Sequence, residues 1–398
     1  MNKTARILFF SSGLAPEYGG AAISEASLCQ SLSGRVEVVL ACRSDRWNRK
    51  FLREFNLNNP LEFKPRDFYQ AWKNPKHTVR DWFKNIDVVH LNGHWRWEYF
   101  FIQQLCREFS IPYVLHPRGM MLEAGRKHQV KRVFNHLIGK RLAQGAYKII
   151  ALSHYETQQL NPYGVDRNKV SVIPNGVCGN PTSIEFSPDC LSDHFLYFGR
   201  LEHRKNLLFL LEAYEQYRQM GGNKKLRLKG PIEHGYEQLI HKKVEELKLG
   251  HHVSILAPTY GPDKWRCLGQ ALAVIYPCVD EPFGRVPFET LLAGGLPILP
   301  TDSGGAEYLQ PVLPQAIYPN RNSQALAERL FWAEKLELSQ RKEALEAARD
   351  WVEEALDWKI ISKKFLNLYW EAISSCALSS LQETDDDFLA SPPTTTPA

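Results

Sequence analysis

The sequence contains no uninterrupted apolar run long enough to span a bilayer. Its first apolar stretch, residues 7–10, is short and stops at Ser11-Ser12-Gly13, so no charged N-terminal segment is followed by the sustained apolar run of a signal peptide. From these two observations we expect neither an ordinary membrane-spanning helix nor a secretory leader. We therefore expect a cytoplasmic protein.

Cysteine is sparse, with 8 residues in 398, and the cysteines form no Cys-x-x-Cys pair and no His/Cys ligand spacing. This excludes a disulfide scaffold and a zinc centre and predicts reduced, mostly buried thiols. The formal net charge of +5 is small for the length, and no nucleic-acid-binding motif accompanies it, so nucleic acid is not expected as a partner. A hydrophobic content of 44% excludes a disordered chain and suffices for two domains.

Short apolar runs alternate with helical stretches, a pattern typical of parallel strands joined by crossover helices. We predict two successive α/β units with a linker at 179–193, where the apolar pattern is weakest. Residues 45–80 lack clear periodicity and are interpreted as an insertion. The predicted strands are 6–10, 36–41, 87–91, 113–116, 148–152 and 170–173 in the first unit, and 195–198, 226–229, 253–256, 273–276, 297–300 and 316–318 in the second.

Two carboxylates eight residues apart mark a candidate site in the second unit. Glu281 falls in the loop after strand 273–276, and a helix that begins at Pro287 would hold Glu289 in its first turn. Helical side chains lean toward the N-terminus, so both carboxylates can face one crevice. The exposed amides of the helix start favour an anion, whereas the two carboxylates would repel one. A ligand that carries both phosphates and hydroxyls suits the amides and the carboxylates alike. The alternative is that Glu289 only complements the helix dipole.

The string Glu281-Pro-Phe-Gly, four residues, Glu289 and then Gly295-Leu-Pro resembles retaining glycosyltransferases of family 4. Tyr197-Phe-Gly-Arg, followed by Lys205-Asn-Leu-Leu, is similar to that family's Gly-Arg and Lys element. Further segments stand at family-like positions, and together they cover most of residues 6–370: Ile173-Pro-Asn-Gly-Val, Gly230-Pro with Gly235-Tyr, and Gly304-Gly-Ala-Glu.

This resemblance implies the α/β fold called GT-B, with two Rossmann-like doubly wound parallel-sheet domains facing a central cleft. The expected domains are an acceptor-binding domain at 1–185 and a nucleotide-sugar-binding domain at 186–357. Helices are predicted at 323–335, 339–351 and 361–373, and the last of them, within 358–376, would cross back to brace the first domain. The polar, proline-rich end of the chain, 377–398, is expected to be disordered.

The resemblance also implies the donor site. Arg200 and Lys205 would hold the diphosphate and stabilise it as it departs, Glu281 would act beside the sugar, and Glu289 would accept hydrogen bonds from the ribose. A solvated cluster with His203 and Arg204 is the alternative for the two cations. The remaining donor-binding candidates are Phe283 and Gly284 through backbone amides, Gly199, Gly230, and Gly19 and Gly20 in a loop that could equally be an ordinary strand-to-helix turn.

No cofactor and no metal are expected, because side-chain cations would stabilise the diphosphate. The Asp-x-Asp pattern of metal-dependent sugar transferases occurs only as Asp385-Asp-Asp, in the expected disordered tail. The co-substrate would be a UDP- or GDP-hexose. Without a second carboxylate as nucleophile, the family's front-face retention is the implied mechanism.

Acceptor contacts are predicted after the third and fourth strands, at His94, Trp95 and Arg118. The segment His116-Pro-Arg-Gly-Met resembles family members that build bacterial surface polysaccharides, which usually carry a small hydroxyl residue in place of His116. His116 would either contact the donor sugar as a catalytic residue or simply complete the strand end. Arg118 would bind an anionic group of the acceptor.

Between Arg118 and Lys148, 8 Lys and Arg residues accompany one acidic residue, Glu123. Apolar residues recur there at helical spacing, so the segment either packs on the sheet with a charged outer face or settles on an anionic membrane. The second account suits a lipid-linked acceptor on the inner face of the cytoplasmic membrane. The apolar residues are Val130, Val133, Phe134, Leu137 and Ile138.

The sequence thus predicts a hexosyltransferase that lengthens a glycan with retention of configuration. Two alternatives stay open. An NDP-sugar epimerase on the same fold would convert the donor without an acceptor, and a non-catalytic sugar-nucleotide-binding protein would leave the donor unconsumed.

Overall fold

A computed structural model of the chain describes residues 4–123, 128–178 and 192–389, with side chains as far as residue 376. The chain folds into two compact units. The first comprises Met1–Ala151, Gln159–Ile173 and Ser362–Ala398, and the second comprises Leu152–Gln158 and Pro174–Ile361. Most of the predicted linker, 179–191, lies outside the described residues.

The first unit is built on a parallel sheet of seven strands in the order β3-β2-β1-β4-β5-β6-β7. The six predicted strands are all present. A further strand, β3, lies in the stretch interpreted as an insertion, where a three-residue strand next to a proline leaves little periodic signal. The strands are β1 Arg6–Phe10, β2 Glu37–Arg43, β3 Leu61–Phe63, β4 Val88–Asn92, β5 Tyr113–His116, β6 Lys148–Ala151 and β7 Val170–Val172.

Helices join these strands. A π-helical turn, Asn135–Gly139, interrupts the helical run of the basic segment, and short 3-10 turns occur at Thr78–Phe83 and Gln158–Tyr163. The α-helices before the second sheet are α1 Gly20–Leu32, α2 Arg49–Glu54, α3 Pro65–Lys73, α4 Glu98–Glu108, α5 His128–Phe134, α6 Lys140–Gln144 and α7 His154–Thr157, the last of which belongs to the second unit.

The second unit holds a parallel sheet of six strands in the order β10-β9-β8-β11-β12-β13. Its strands are β8 His194–Phe198, β9 Lys225–Lys229, β10 Val253–Leu256, β11 Ala273–Ile275, β12 Pro297–Pro300 and β13 Ile317–Tyr318. Its helices are α8 Leu207–Gln219, α9 Tyr236–Glu246, α10 Gly261–Gln270, α11 Arg285–Leu292, α12 Gly304–Leu309, α13 Ser323–Lys335 and α14 Leu338–Ala355. The predicted α/β architecture of two Rossmann-like domains is confirmed.

The sheet register fixes where polar residues of the first unit meet. β4 and β5 are buried along their whole length, because helices cover both faces of a parallel sheet. Phe10 pairs with Leu91, and Asn92 pairs with His116. Ser11, Asn92 and His116 therefore share the carboxyl edge of the sheet, where ligands bind in open α/β folds.

The last helix, α15 Trp358–Leu389, packs against the first unit through Phe365 and Tyr369. The Tyr369 hydroxyl lies 2.7 Å from Nδ1 of His90, and its ring stands edge-on to Phe9. The helix is longer than predicted. The expected disordered tail, 377–398, falls on residues whose side chains, and from 390 onward whose backbone, lie outside the described part of the chain.

Candidate functional site

Two glycines at the carboxyl ends of β8 and β9 bring two backbones into close contact. A Cβ added at Gly230 would lie 1.9 Å from the carbonyl oxygen of Gly199, and φ at Gly230 is +152°. Gly199 has φ +148° and accepts no side chain easily, since a Cβ there would meet the Tyr197 hydroxyl at 3.1 Å. The close approach of the two backbones leaves no room for a side chain at Gly230, and the Tyr197 hydroxyl leaves little at Gly199, which explains why both residues are glycine. Their assignment to donor binding stays a prediction.

The Lys205 ammonium and the Glu281 carboxylate form an ion pair, with Nζ 2.8 Å from Oε2. The Tyr276 hydroxyl donates a second hydrogen bond to the same oxygen, at 3.2 Å. Burial by itself would raise the pKa of Glu281, but Lys205 and Arg204 outweigh it and hold that pKa below its usual value. Glu281 is therefore an ionised hydrogen-bond acceptor at neutral pH.

Backbone contacts hold the loop that carries Glu281. The carbonyl of Glu281 accepts from the amide of Gly304 at 2.7 Å, and the Ser153 hydroxyl donates to the carbonyl of Pro282 at 2.6 Å. A Cβ at Gly304 would lie 1.9 Å from that Pro282 carbonyl. Phe283 is buried and stacks on Phe288, with ring centroids 4.6 Å apart. The aromatic ring thus anchors the loop from below.

Glu289 is held by two cations that the sequence reasoning missed. Lys264 Nζ lies 2.8 Å from Oε2, and Arg285 lies 3.1 Å from Oε1. Burial alone would raise the pKa of Glu289, yet Lys264 and Arg285 hold it below the usual value. The Arg285 pairing could have been found from its i, i+4 spacing, whereas nothing in the sequence links Lys264, on another helix, to this carboxylate.

The predicted helix start is wrong by two residues. α11 begins at Arg285, with Gly284 at its N-cap position (φ +71°), so Pro287 is the third helical residue. Glu289 consequently lies beyond the first turn, and its anchoring is explained by its cation partners rather than by the helix dipole. Proline tolerates the third position because its missing amide has no intrahelical partner there.

Arg200 differs from Lys205 in its surroundings. Its side chain is 57% exposed, and its Nε lies 3.9 Å from Glu202. Lys205 is only 17% exposed and is committed to Glu281. The two predicted diphosphate cations are therefore unequal: one is free to reorient in solvent, and the other already neutralises a carboxylate.

Three polar side chains meet at the carboxyl edge of the first unit's sheet. Arg118 Nε donates to Asn92 Oδ1 at 2.9 Å, and Asn92 Nδ2 donates to Glu25 Oε1 at 3.1 Å. Glu25 is 1% exposed, and burial raises its pKa to about 7 against the opposing effect of Arg118, Ser11 and Arg96. Sequence reasoning found Arg118 but not Glu25, which is the one charged residue of α1 and belongs to no recognised motif.

His116 lies inside the first unit. It is 1% exposed, its Nδ1 is 3.3 Å from Nε2 of His90, and its ring is tilted over Phe365. Burial, Arg118 and His90 hold its pKa well below the usual value, so the ring is neutral at neutral pH. Its Nε2 is buried without a hydrogen-bond partner. The catalytic role of His116 stays a prediction.

His94 is fully buried in the first unit. Its Nε2 lies 3.0 Å from Oδ1 of Asn135 in the π-helical turn, and the Tyr163 and Phe134 rings stand edge-on to it. Burial lowers the pKa of His94 to about 4. The predicted acceptor contact of His94 stays a prediction. Trp95 is only partly buried and keeps its predicted role as an acceptor contact.

The predicted glycine loop forms a 3-10 turn, Pro16–Tyr18, that leads into α1. Gly19 has φ +62°, and a Cβ there would meet nothing within 4 Å, so backbone conformation rather than crowding favours glycine. Gly20 begins the helix. Contact of either glycine with a donor stays a prediction.

A second acidic cluster follows β11 and β12. The Tyr155 hydroxyl donates to Asp280 at 2.8 Å, and Asp302 has a buried Oδ1 without a hydrogen-bond partner. Burial and the Asp280 charge raise the pKa of Asp302 to about 6. Across the described residues, however, no group of three or more His, Cys, Asp or Glu side chains is arranged to hold a metal ion.

Two family models match the sequence. "Glycosyltransferase Family 4" matches residues 18–178, and "Glycosyl transferases group 1" matches residues 192–351. No curated protein sequence matches the chain significantly. The first matched region contains β2 to β7 of the first sheet, and the second contains β8 to β13, the whole of the second sheet.

Solved structures share the fold at low sequence identity. Anabaena HepE, crystallised with UDP and glucose, superposes with a TM-score of 0.73 at 19% identity over 92% of this chain and 100% of HepE. Sucrose-phosphate synthase from Thermosynechococcus elongatus gives 0.70 at 19% identity over 93% and 100% of the two chains. The lipopolysaccharide outer core galactosyltransferase WaaB gives 0.66 at 16% identity over 93% and 99%. With both family domains present on two Rossmann-like units, the chain is a GT-B glycosyltransferase.

Proposed function

We propose that this glycosyltransferase moves a hexose from a nucleotide-diphosphate sugar to a glycan acceptor, with retention of configuration and without a metal. The observation that carries the proposal is the pair of ionised carboxylates in the second unit, each matched by cations: Glu281 with Lys205, and Glu289 with Lys264 and Arg285. Ionised carboxylates accept hydrogen bonds from sugar and ribose hydroxyls, while neighbouring cations attract phosphates.

In the proposed reaction, the bond between the anomeric carbon and the diphosphate oxygen breaks, and the acceptor hydroxyl forms its new bond on the same face. The departing phosphate oxygen takes the acceptor's proton. Arg200 and Lys205 stabilise the charge that grows on the diphosphate. Glu281 steadies positive character at the anomeric carbon, and Glu289 binds the ribose.

UDP-hexoses are the donors to test first. Crystal structures of HepE hold UDP, and one holds UDP-glucose. GDP-hexoses are the second choice. Because a ligand that binds the folded state raises its stability, protection of the protein from thermal unfolding by each nucleotide sugar ranks the donors.

The cations of the site support the proposed metal independence. Lys205, Lys264 and Arg285 already place three fixed positive charges beside the two carboxylates, and exposed Arg200 adds a fourth. Full activity in excess chelator is the expected result. Loss of activity that manganese restores would contradict this part of the proposal.

The proposed acceptor is a lipid-linked glycan on the inner face of the cytoplasmic membrane. Arg118, fixed through Asn92 to Glu25, is suited to an anionic group such as a diphosphate. The test is transfer of radiolabelled hexose to a polyprenyl-diphosphate glycan, compared with the same glycan released from its lipid.

One control separates the alternatives. Incubation with donor alone should leave it intact, whereas conversion to an epimer would indicate an NDP-sugar epimerase. Binding of UDP without consumption of any donor, in the presence of acceptor, would indicate a non-catalytic nucleotide-sugar-binding protein.

A further inference from the structure

The first unit exposes aromatic side chains on α3, on α4 and at the residue that precedes α4. Tyr69 is 41% exposed, Trp72 44% and Trp97 49%. Phe100 and Phe101 join them, with ring centroids 5.4 Å apart for Tyr69 and Phe101 and 6.5 Å apart for Trp72 and Phe100. We call these five residues the aromatic face. Contiguous exposed apolar surface of this kind marks an interaction site.

Next to the aromatic face lies the basic segment, residues 128–144, formed by α5, the π-helical turn and α6. The two are joined where Trp97 stands edge-on to Phe134, with ring centroids 5.4 Å apart. The five apolar residues that recur at helical spacing in this segment fall into two groups. Phe134 and Ile138 are buried, whereas the other three are exposed. The exposed members are Val130 at 56%, Val133 at 54% and Leu137 at 51%.

The exposed residues of the basic segment are apolar, basic or uncharged polar, and none of them is acidic. Val130, Val133 and Leu137 are spaced as on one helical face. The same segment contains four Lys and Arg residues and no Asp or Glu: Lys131, Arg132, Lys140 and Arg141. This uniform charge is a direct complement to an anionic surface.

We propose that the aromatic face and the basic segment together form a docking surface that rests on an anionic lipid bilayer. Trp and Tyr favour the headgroup region because their rings are apolar at one end and polar at the other. Lysine and arginine beside them attract lipid phosphates. The core of a protein-protein interface, by contrast, is depleted of lysine.

The surface would lie on the bilayer rather than enter it. Within the described residues, no helix is long and apolar enough to cross a membrane. Shallow burial of aromatic rings and valines combined with electrostatic attraction is the binding mode of interfacial helices. The inference rests on the proposed function only for its lipid-linked acceptor, and its test needs neither donor nor acceptor.

Co-sedimentation of the full chain with vesicles tests the proposal. We expect binding to phosphatidylcholine vesicles that contain phosphatidylglycerol, little binding to phosphatidylcholine alone, and weaker binding as salt is raised. The double variant Trp72→Ser/Trp97→Ser should lower the partition coefficient by roughly tenfold or more. Replacing Arg132 and Lys140 by glutamine should lower it about tenfold as well and flatten its salt dependence.

Trp370→Ser is the matched control, since Trp370 is an equally exposed tryptophan, at 44%, on α15. It should bind vesicles as the wild type does. Circular dichroism and the thermal midpoint establish that each variant is folded, and protection by UDP shows separately whether the donor site works. Thus loss of vesicle binding with intact UDP protection concerns the surface alone.

Three results would overturn the proposal: no preference for anionic vesicles, unchanged binding by the double tryptophan variant, or equal loss in Trp370→Ser. Concentration-dependent dimerisation that Trp72→Ser abolishes, without vesicle binding, would assign the aromatic face to a second copy of the chain instead.

Discussion

Lys205 and Glu281 lie in contact through a 2.8 Å ion pair, although 76 residues separate them in the sequence. The lysine follows β8 and the glutamate follows β11, and these two strands are neighbours in the sheet. Their side chains are 17% and 20% exposed, so neither charge is fully hydrated. The loop predicted to bind the sugar and the lysine predicted to bind the diphosphate are therefore joined by one ion pair.

Glu281→Ala should lower turnover more than donor affinity, because the carboxylate acts at the sugar while binding depends mainly on the nucleotide. It also leaves Lys205 without its carboxylate, which should reduce the free energy of unfolding by about 2 kcal/mol. Steady-state kinetics and urea denaturation measure the two effects. Glu202→Gln is the control, since Glu202 is also 20% exposed in the same region; turnover near the wild-type rate in Glu281→Ala would refute the role.

Lys264→Met should destabilise the protein by about 1–2 kcal/mol at neutral pH, because ionised Glu289 keeps only Arg285 as a cation partner. The lowered pKa of Glu289 contributes stability that is present above its ordinary pKa and is lost as the pH falls through the lowered value. The variant should therefore lose less stability on acidification than the wild type.

Urea denaturation at neutral and acidic pH measures this difference. Lys242→Met is the matched control, because Lys242 is 74% exposed and lies 3.9 Å from Glu246 across one helical turn. Such a pair contributes about 0.5 kcal/mol or less. Equal effects of the two substitutions would show that the Lys264 pair is not a buried interaction.

Glu25→Gln should remove a pH dependence of stability. The folded-state pKa of Glu25 is about 7, above the usual value of 4.5, so the folded protein binds more protons than the unfolded chain between these values. The contribution of Glu25 to the free energy of unfolding is fully present below pH 4.5 and is lost as the pH rises through 7. The loss is on the order of 3 kcal/mol.

Thermal unfolding across this pH range, wild type against variant, measures the slope. Glutamine keeps an oxygen that can accept from Asn92, so the network with Arg118 should survive and the variant should be relatively more stable at high pH. Parallel curves for the two proteins would mean that Glu25 does not titrate in this range.

Gly230→Ala should reduce the free energy of unfolding by about 3 kcal/mol, because the new Cβ meets the Gly199 carbonyl at 1.9 Å. Gly235→Ala is the control for backbone conformation alone: its φ is +81°, and a Cβ there meets nothing within 4 Å. It should cost about 1 kcal/mol. Chemical denaturation compares the two variants. An equal loss in the free energy of unfolding would contradict the close contact between the backbones at Gly199 and Gly230.

Local sequence patterns were enough to predict the alternation of strands and helices. β1, β5, β10 and β12 begin and end at the predicted residues. β1, β5 and β12 are buried and largely apolar, as expected for strands inside a parallel sheet, whereas β10 is an edge strand with no buried residue. β3 escaped prediction since three residues are too few to show a period. The predicted start of α11 is wrong because the first helical position is common for proline but not obligatory, and Pro287 is the third helical residue.

What the sequence determined by itself is the set of chemical groups and their local spacing: the Glu281 to Glu289 string, the glycines after the strands, the histidines and Arg118 at strand ends. What only the tertiary structure decided is how these groups are paired and how deeply they are buried. Lys264 reaches Glu289 from another helix, and Asn92 joins Arg118 to Glu25 across the sheet edge. Charge pairing and burial depend on distances through space, which strand order sets and which no local pattern encodes.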